Sequence, residues 1–232
     1  MRLVHCPSPN HDARPDGVPV DILVLHYTGM ETADAALARL CDPEAQVSAH
    51  YTIDRTGRIY AHVPEERRAW HAGLSYWAGE RNINGRSIGI ELVNPGHEFG
   101  YEPFPEPQIL SLIGLAKEIL SRHPIPPHRV LGHSDVAPAR KIDPGELFPW
   151  ARLAGEGVGL WPQVPPGLSQ AGSSQDDPAE LLARFGYGLA PEVDASLGVV
   201  LSAFQRHFRP SRIDGIADAE TLVLLSALAG RA

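Results

Sequence analysis

Cysteine is nearly absent: the 232-residue chain carries two, Cys6 and Cys41. A disulfide framework is therefore excluded, and two reduced thiols in a reducing compartment are the expectation. No apolar run approaches the roughly 20 residues of a membrane span. The opening stretch MRLVHCPSPNHDARPDG has no apolar core of the kind a secretory signal needs. A cytoplasmic location is expected on that ground, with the periplasm as the alternative. Positive charge is also short: 20 Lys and Arg against 28 Asp and Glu leave a net charge of -8. That excludes a protein that works by coating nucleic acid. The 22 glycines and 22 prolines follow no fixed period, so collagen-like and coiled-coil chains are excluded and turns are plentiful. Histidine is abundant instead, at 11 residues, which points to imidazole chemistry.

The sequence divides into a mixed α/β block over 1–162, a linker of Pro, Gly, Ser and Gln over 163–175, and a helical tail over 176–232. In the block, 20–26 and 87–93 are short apolar runs that predict buried strands. Residues 51–54 and 58–62, separated by Arg55-Thr56-Gly57, predict a hairpin. Residues 32–40 predict a helix. So does 106–121, where Ile109, Leu112, Ile113, Ala116, Ile119 and Leu120 share a face. Residues 129–131 predict a last, parallel strand. The fold class is α/β: a mixed central β-sheet flanked by helices, plus a small C-terminal three-helix domain over 178–185, 194–208 and 218–228. Pro178 suits a first helical turn and Asp218 an N-cap. The block is expected to fold without the tail.

The chemistry gathers at strand ends, where α/β folds place it. His26 ends one predicted strand, His133 follows another, and Asp143 lies ten residues on. Two imidazoles and a carboxylate make an open catalytic zinc site. The alternative is that strand-end histidines bond loop backbone. Glu91 interrupts the apolar run SIGIELV, and a carboxylate there must be paired or beside a metal. It shares a face with Gly89, which leaves room. It reads as a general base, or as the partner of a core arginine. Lys141, two residues before Asp143, reads as an oxyanion stabiliser or as a solvated loop lysine.

These residues fall within LHYTG at 25–29, SAHYTIDRTGRIY at 48–60, WHAGLSYWAG at 70–79, NINGRSIGIELVNPG at 82–96, YEPFPEPQI at 101–109 and GHSDVAPARKIDPG at 132–145. In that order they resemble the zinc-dependent N-acetylmuramoyl-L-alanine amidases, whose fold is shared with T7-type lysozyme and the peptidoglycan recognition proteins. The resemblance implies Zn2+ held by His26, His133 and Asp143, Glu91 as acid/base and Lys141 as transition-state stabiliser. It implies hydrolysis of the amide between the lactyl group of muramic acid, in its 1,6-anhydro form or not, and L-alanine of the stem peptide. The expected partners are anhydro-muropeptides in cell-wall recycling, or intact peptidoglycan for an exported remodelling amidase. A non-catalytic peptidoglycan-recognition module is the other alternative. Ala49 stands where phage-type members have Tyr, and Asp143 where they have Cys, which resembles the bacterial recycling branch.

Tyr27, Trp70, His71, Trp77, Arg81 and Asn82 are expected to line the substrate groove, aromatic faces for sugars and Arg for carboxylates. His50 is a rival ligand, read as supporting. His5, His11, His62, His97, His123, His128 and His207 read as loop or surface residues. The tail resembles a three-helix peptidoglycan-binding domain through Ala203-Phe204-Gln205, Asp214-Gly215-Ile216 and Thr221.

Overall fold

The computed structural model describes residues 2–162, 177–191 and 193–230, so the predicted linker at 163–175 lies outside the described residues. The chain opens with two short strands, β1 (Leu3–His5) and β2 (His11–Ala13), then β3 (Ile22–Tyr27) and α1 (Ala33–Cys41). β4 (Tyr51–Ile53), β5 (Ile59–Ala61) and β6 (Arg67–Ala69) follow, then α2 (Ile83–Arg86), β7 (Ser87–Leu92) and α3 (Gly96–Phe99). The block closes with α4 (Glu106–Arg122), β8 (Val130–Gly132), α5 (His133–Val136) and α6 (Trp150–Gly155). The tail supplies α7 (Pro178–Phe185), α8 (Leu197–Phe208) and α9 (Ala219–Ala229).

Six strands form one mixed sheet in the order β1-β5-β4-β7-β3-β8, and β2 pairs with β6 in a separate ribbon. The β4–β5 hairpin is antiparallel, while β4, β7, β3 and β8 run parallel. The predicted strands, the hairpin and the crossover to a parallel last strand are all present. β1, β2 and β6 were not expected. Every residue of β1 is exposed, so no apolar alternation marks it; pairing with β5 alone makes it a strand.

Alternation sorts the central strands between two apolar layers. Leu23 and Leu25 of β3, with Ile88, Ile90 and Leu92 of β7, pack under α4, which buries Ile109, Leu112, Leu115, Ala116 and Ile119. Ile22 and Val24 face the opposite way, with Leu131 and Val136. That second face is covered by the tail: Leu181, Leu182 and Phe185 of α7, Val200, Leu201 and Phe204 of α8, and Leu225 and Leu228 of α9 join the same buried cluster.

The tail's motif residues serve its own fold. Gln205 is fully buried; its amide donates to the Ile216 carbonyl, and its Oε1 accepts from the backbone of Asp214 and Gly215. Asp218 caps α9 as expected, accepting from Thr221 N at 3.0 Å. Among the described residues no helix is long and apolar enough to cross a membrane.

This shared core bears on whether residues 1–162 fold alone. Each large apolar side chain uncovered costs about 1.5–3 kcal/mol, and Ile22, Val24, Trp77, Leu131 and Val136 all lose their cover. A chain ending at residue 162 is expected to be insoluble or to melt at least ~10 °C below the full chain. Calorimetry on both checks this; an unchanged Tm would show that the face is satisfied without the tail.

Candidate active site

The site is built on the parallel pair β3 and β7, where His26 stands opposite Glu91 in register. Both side chains therefore emerge on the same face, one strand apart. β8 lies on the other side of β3, with Leu25 beside Gly132, and His133 follows at once as the first residue of α5. The chain then returns to place Asp143, which is pinned by its own carbonyl accepting from Ser134 N at 2.9 Å.

Three atoms converge: His26 Nδ1 lies 2.9 Å from His133 Nδ1 and 3.1 Å from Asp143 Oδ2, and His133 Nδ1 lies 3.2 Å from Asp143 Oδ2. All three residues are buried. The surrounding bonds fix where the protons are. Ser87 Oγ donates to the Ile83 carbonyl at 2.7 Å, so it accepts from His71 Nε2 at 3.1 Å. His71 Nδ1 is then an acceptor and takes the Nε2 proton of His26 at 3.0 Å. His133 Nε2 donates to the Ala72 carbonyl at 3.1 Å. Both Nδ1 atoms are left with lone pairs facing each other and a carboxylate. Such a set of bare acceptors calls for a cation, and two imidazoles with one carboxylate form a catalytic zinc donor set.

Gly89 makes this chain possible. A Cβ there would meet the His71 ring at 2.5 Å, so only glycine lets that ring lie across β7. The room predicted beside Glu91 is filled by His71. His50, the rival ligand, is committed elsewhere: its Nδ1 accepts from Gly89 N at 3.0 Å and its Nε2 faces Arg14 and the Arg67 carbonyl.

Burial governs the titration of the group. It lowers the His26 pKa to about 4, His133 adding to the effect, and lowers His50 to about 3, with Arg14 adding. It pushes His71 well below the usual imidazole value, with His26 next in effect. Glu91 moves the other way. Burial, and then the Asp143 charge, raise it well above the usual range, against the pull of Lys141. Its Oε2 is buried without a hydrogen-bond partner among the described residues. The alternative reading of Glu91 as an ion-pair partner of a core arginine finds no support in these contacts.

A cleft of about 700 Å³ opens over the cluster, lined by Tyr27, Trp70, His71, Glu91, His133, Lys141 and Asp143 among others. That volume suits a small-molecule or peptide-sized ligand. Three of the expected groove residues lie elsewhere. Trp77 is 1% exposed and packs against Phe185 and Tyr187 of the tail, ring centroids 5.7 and 4.9 Å away. Asn82 caps α2 by accepting from Gly85 N, and Arg81 lies over the Tyr76 ring. The stretch 76–82 turns toward α7 rather than into the cleft, with Ala78 N donating to the Gly186 carbonyl at 2.7 Å. Sequence reasoning missed Arg39 of α1 and Arg140, which do line the cleft. Arg140 lies inside the ARK stretch next to Lys141, where its spacing from the ligands was a usable signal.

Two histidines read as surface residues are buried, His62 and His207. His62 lies by the two cysteines, whose Sγ atoms are 3.2 Å apart although both are free. Its Nδ1 donates to the Cys6 carbonyl at 2.7 Å, so its proton, not a lone pair, faces the thiols.

The sequence model of the N-acetylmuramoyl-L-alanine amidase family matches residues 16–146. The chain is 42% identical over 229 residues to the N-acetylmuramoyl-L-alanine amidase AmiD of Escherichia coli, covering 90% of this chain and 82% of the relative. The structure of that amidase with anhydro-N-acetylmuramic acid-L-Ala-D-γ-Glu-L-Lys superposes with a TM-score of 0.82, 41% identity, and 93% and 91% of the two chains covered. AmpDh3 of Pseudomonas aeruginosa, in complex with anhydromuramic pentapeptide, gives a TM-score of 0.81 at 36% identity and 94% coverage of each chain. The 1,6-anhydro-N-acetylmuramyl-L-alanine amidase AmpD of Enterobacter cloacae is 34% identical over 166 residues, covering 64% of this chain and 87% of its own.

Gly89→Ala forces the His71 ring off His26; overpacking costs about 1–3 kcal/mol, and zinc affinity is expected to fall with it. Titration against a chromophoric chelator checks this, and unchanged affinity would remove His71 from the site's support. For pH, the folded imidazole values lie below the ~6.5 of an unfolded histidine. As pH falls, the unfolded chain takes up protons first. Stability of the metal-free protein is thus full above ~6.5 and is lost as pH drops through about 4 for His26 and about 3 for His50. In urea titrations across that window, His50→Asn is expected to flatten the slope by about 1.4 kcal/mol per pH unit; an unchanged slope would mean His50 is not buried neutral.

Proposed function

The chain belongs to the N-acetylmuramoyl-L-alanine amidase family, and from that premise we propose that it hydrolyses the amide joining 1,6-anhydro-N-acetylmuramic acid to L-alanine of the stem peptide, with Zn2+ as cofactor, in cell-wall recycling. The observation that carries this reading is the convergence of His26 Nδ1, His133 Nδ1 and Asp143 Oδ2 as bare acceptors beside the Glu91 carboxyl, whose buried Oε2 has no partner among the described residues. Two relatives that match this chain along nearly its whole length were solved with anhydromuramyl peptides, which supports the same substrate class here.

His26, His133 and Asp143 would hold the metal. When bound, zinc supplies a water acidified to near neutrality and a Lewis acid for a carbonyl. The residues do the rest. Burial and the Asp143 charge favour the protonated Glu91 carboxyl, while Lys141 favours the ionised one. A carboxyl balanced between these pulls can take a proton from the attacking water and pass it to the leaving L-alanine nitrogen. Lys141 borders the same space and brings an ammonium to the oxygen that gains charge at the lactyl carbonyl. Tyr27 and Trp70 offer aromatic faces for the sugar. Arg39 and Arg140 bring positive charge to the cleft wall, suited to the free carboxylates of a stem peptide. His71 works behind His26 rather than on substrate. We take residues 1–162 as the catalytic region and 176–232 as a helical domain packed against it.

The test is mass spectrometry of products from zinc-loaded protein given a soluble 1,6-anhydro-muropeptide. Free stem peptide and anhydromuramic acid are expected; intact substrate would overturn the reading. Glu91→Ala is expected to keep one zinc per chain and to lose about two orders of magnitude or more in rate. Turnover near wild type would remove Glu91 from the mechanism.

A further inference from the structure

The tail reaches the metal-ligand turn through one carboxylate. Asp135 is fully buried, two residues after His133 in α5. Its Oδ2 accepts from Gly132 N at 2.7 Å, which closes the turn on which His133 begins. The remaining donors come from the tail. Tyr187, just beyond α7, donates its hydroxyl to Oδ1 at 2.6 Å, and His207 of α8 donates Nδ1–H to Oδ2 at 2.7 Å. The His207 ring is itself fixed, stacked on Trp150 with centroids 3.7 Å apart.

A buried carboxylate needs its donors, because each one lost leaves charge uncompensated in an apolar surround. Gly132 alone cannot satisfy Asp135. The backbone at Gly132 is crowded as well: a Cβ there would meet Pro144 Cδ at 2.8 Å and Trp150 at 3.3 Å, so this turn and the segment after Asp143 lie against each other. Ser134 N, between His133 and Asp135, binds the Asp143 carbonyl at 2.9 Å. One short turn therefore holds two of the three metal-facing residues, and its fixed point is a carboxylate held from the tail.

We propose that Tyr187 and His207 are positioning residues of the metal site, aiming His133 and Asp143 through Asp135. The inference rests on the zinc amidase reading. It makes the tail a working part of the site, whatever else the tail binds. Neither residue borders the cleft.

The experiment compares Tyr187→Phe and His207→Phe, which keep ring packing and remove one donor each, with Leu225→Ala. Leu225 is fully buried in α9 and belongs to the same apolar cluster, but it is not bonded to Asp135. Zinc affinity is measured by chelator competition, cobalt-substituted protein by visible absorption, and kcat and KM on a soluble anhydro-muropeptide. Each Phe variant is expected to weaken zinc binding roughly tenfold, to shift the cobalt bands, and to lower kcat about tenfold with KM unchanged. Leu225→Ala is expected to lower Tm by a comparable or larger amount while leaving zinc affinity and the cobalt spectrum as in wild type. Wild-type affinity and spectra in both Phe variants would overturn the inference, as would equal losses in Leu225→Ala. If one Phe variant fails to fold, the other carries the same test alone. A wild-type protein that binds no zinc would instead overturn the amidase reading, and this inference with it.

Discussion

The parallel register of β3 on β7 is the constraint on which the site depends. It places His26 opposite Glu91 and Val24 opposite Gly89. A slip of one residue would turn His26 into the layer under α4 and bring Leu25 to the cleft. The apolar residues of both strands prevent that slip. Leu23, Leu25, Ile88, Ile90 and Leu92 fill one layer, Ile22 and Val24 the other, and neither set can exchange places without exposing the core. The same pattern that stabilises the sheet thus aims the Glu91 carboxyl and the His26 imidazole at one point.

Burying so many imidazoles is costly unless every nitrogen has a use. The bonds running from Ile83 through Ser87 and His71 to His26 give each proton one place to go and leave one lone pair for the cluster. His133 reaches the same state by donating to Ala72. His50 is spent on Gly89 N and Arg14. The polarity of this face is therefore arranged to present acceptors at a single locus. Glu91 lies just outside that circle. Its Oε2 has no hydrogen-bond partner among the described residues.

Much of this was legible in sequence because it follows from period and chemistry. β3, β7, α4 and the three tail helices carry plain apolar patterns. His26, His133, Asp143 and Glu91 were visible as polar residues where a strand ends or where an apolar run should not be interrupted. What was illegible depends on contacts distant in sequence. β1 is a strand only because β5 lies beside it. Trp77, Arg81 and Asn82 read as groove residues by side-chain type, yet the turn at 76–82 packs on a tail more than a hundred residues away. His207 carried no local pattern at all; its role exists only where α8 meets Asp135.

In this chain the tail packs on the sheet face that also carries the candidate site. A sheet with α4 on one side has a second apolar face that must be covered, and here α7, α8 and α9 cover it. That face is also the one on which His26, Gly89 and Glu91 emerge. Its apolar part closes under the tail, while the polar strand ends open into the cleft. The boundary between the two regimes falls on α5, whose Val136 joins the apolar cluster and whose His133 faces Asp143 at the cleft, while Asp135 turns to Tyr187 and His207 of the tail. A four-residue helix has little stability of its own, so its orientation is set by what grips it from both sides. Apolar packing supplies the grip without direction, and the hydrogen bonds to Asp135 supply the direction.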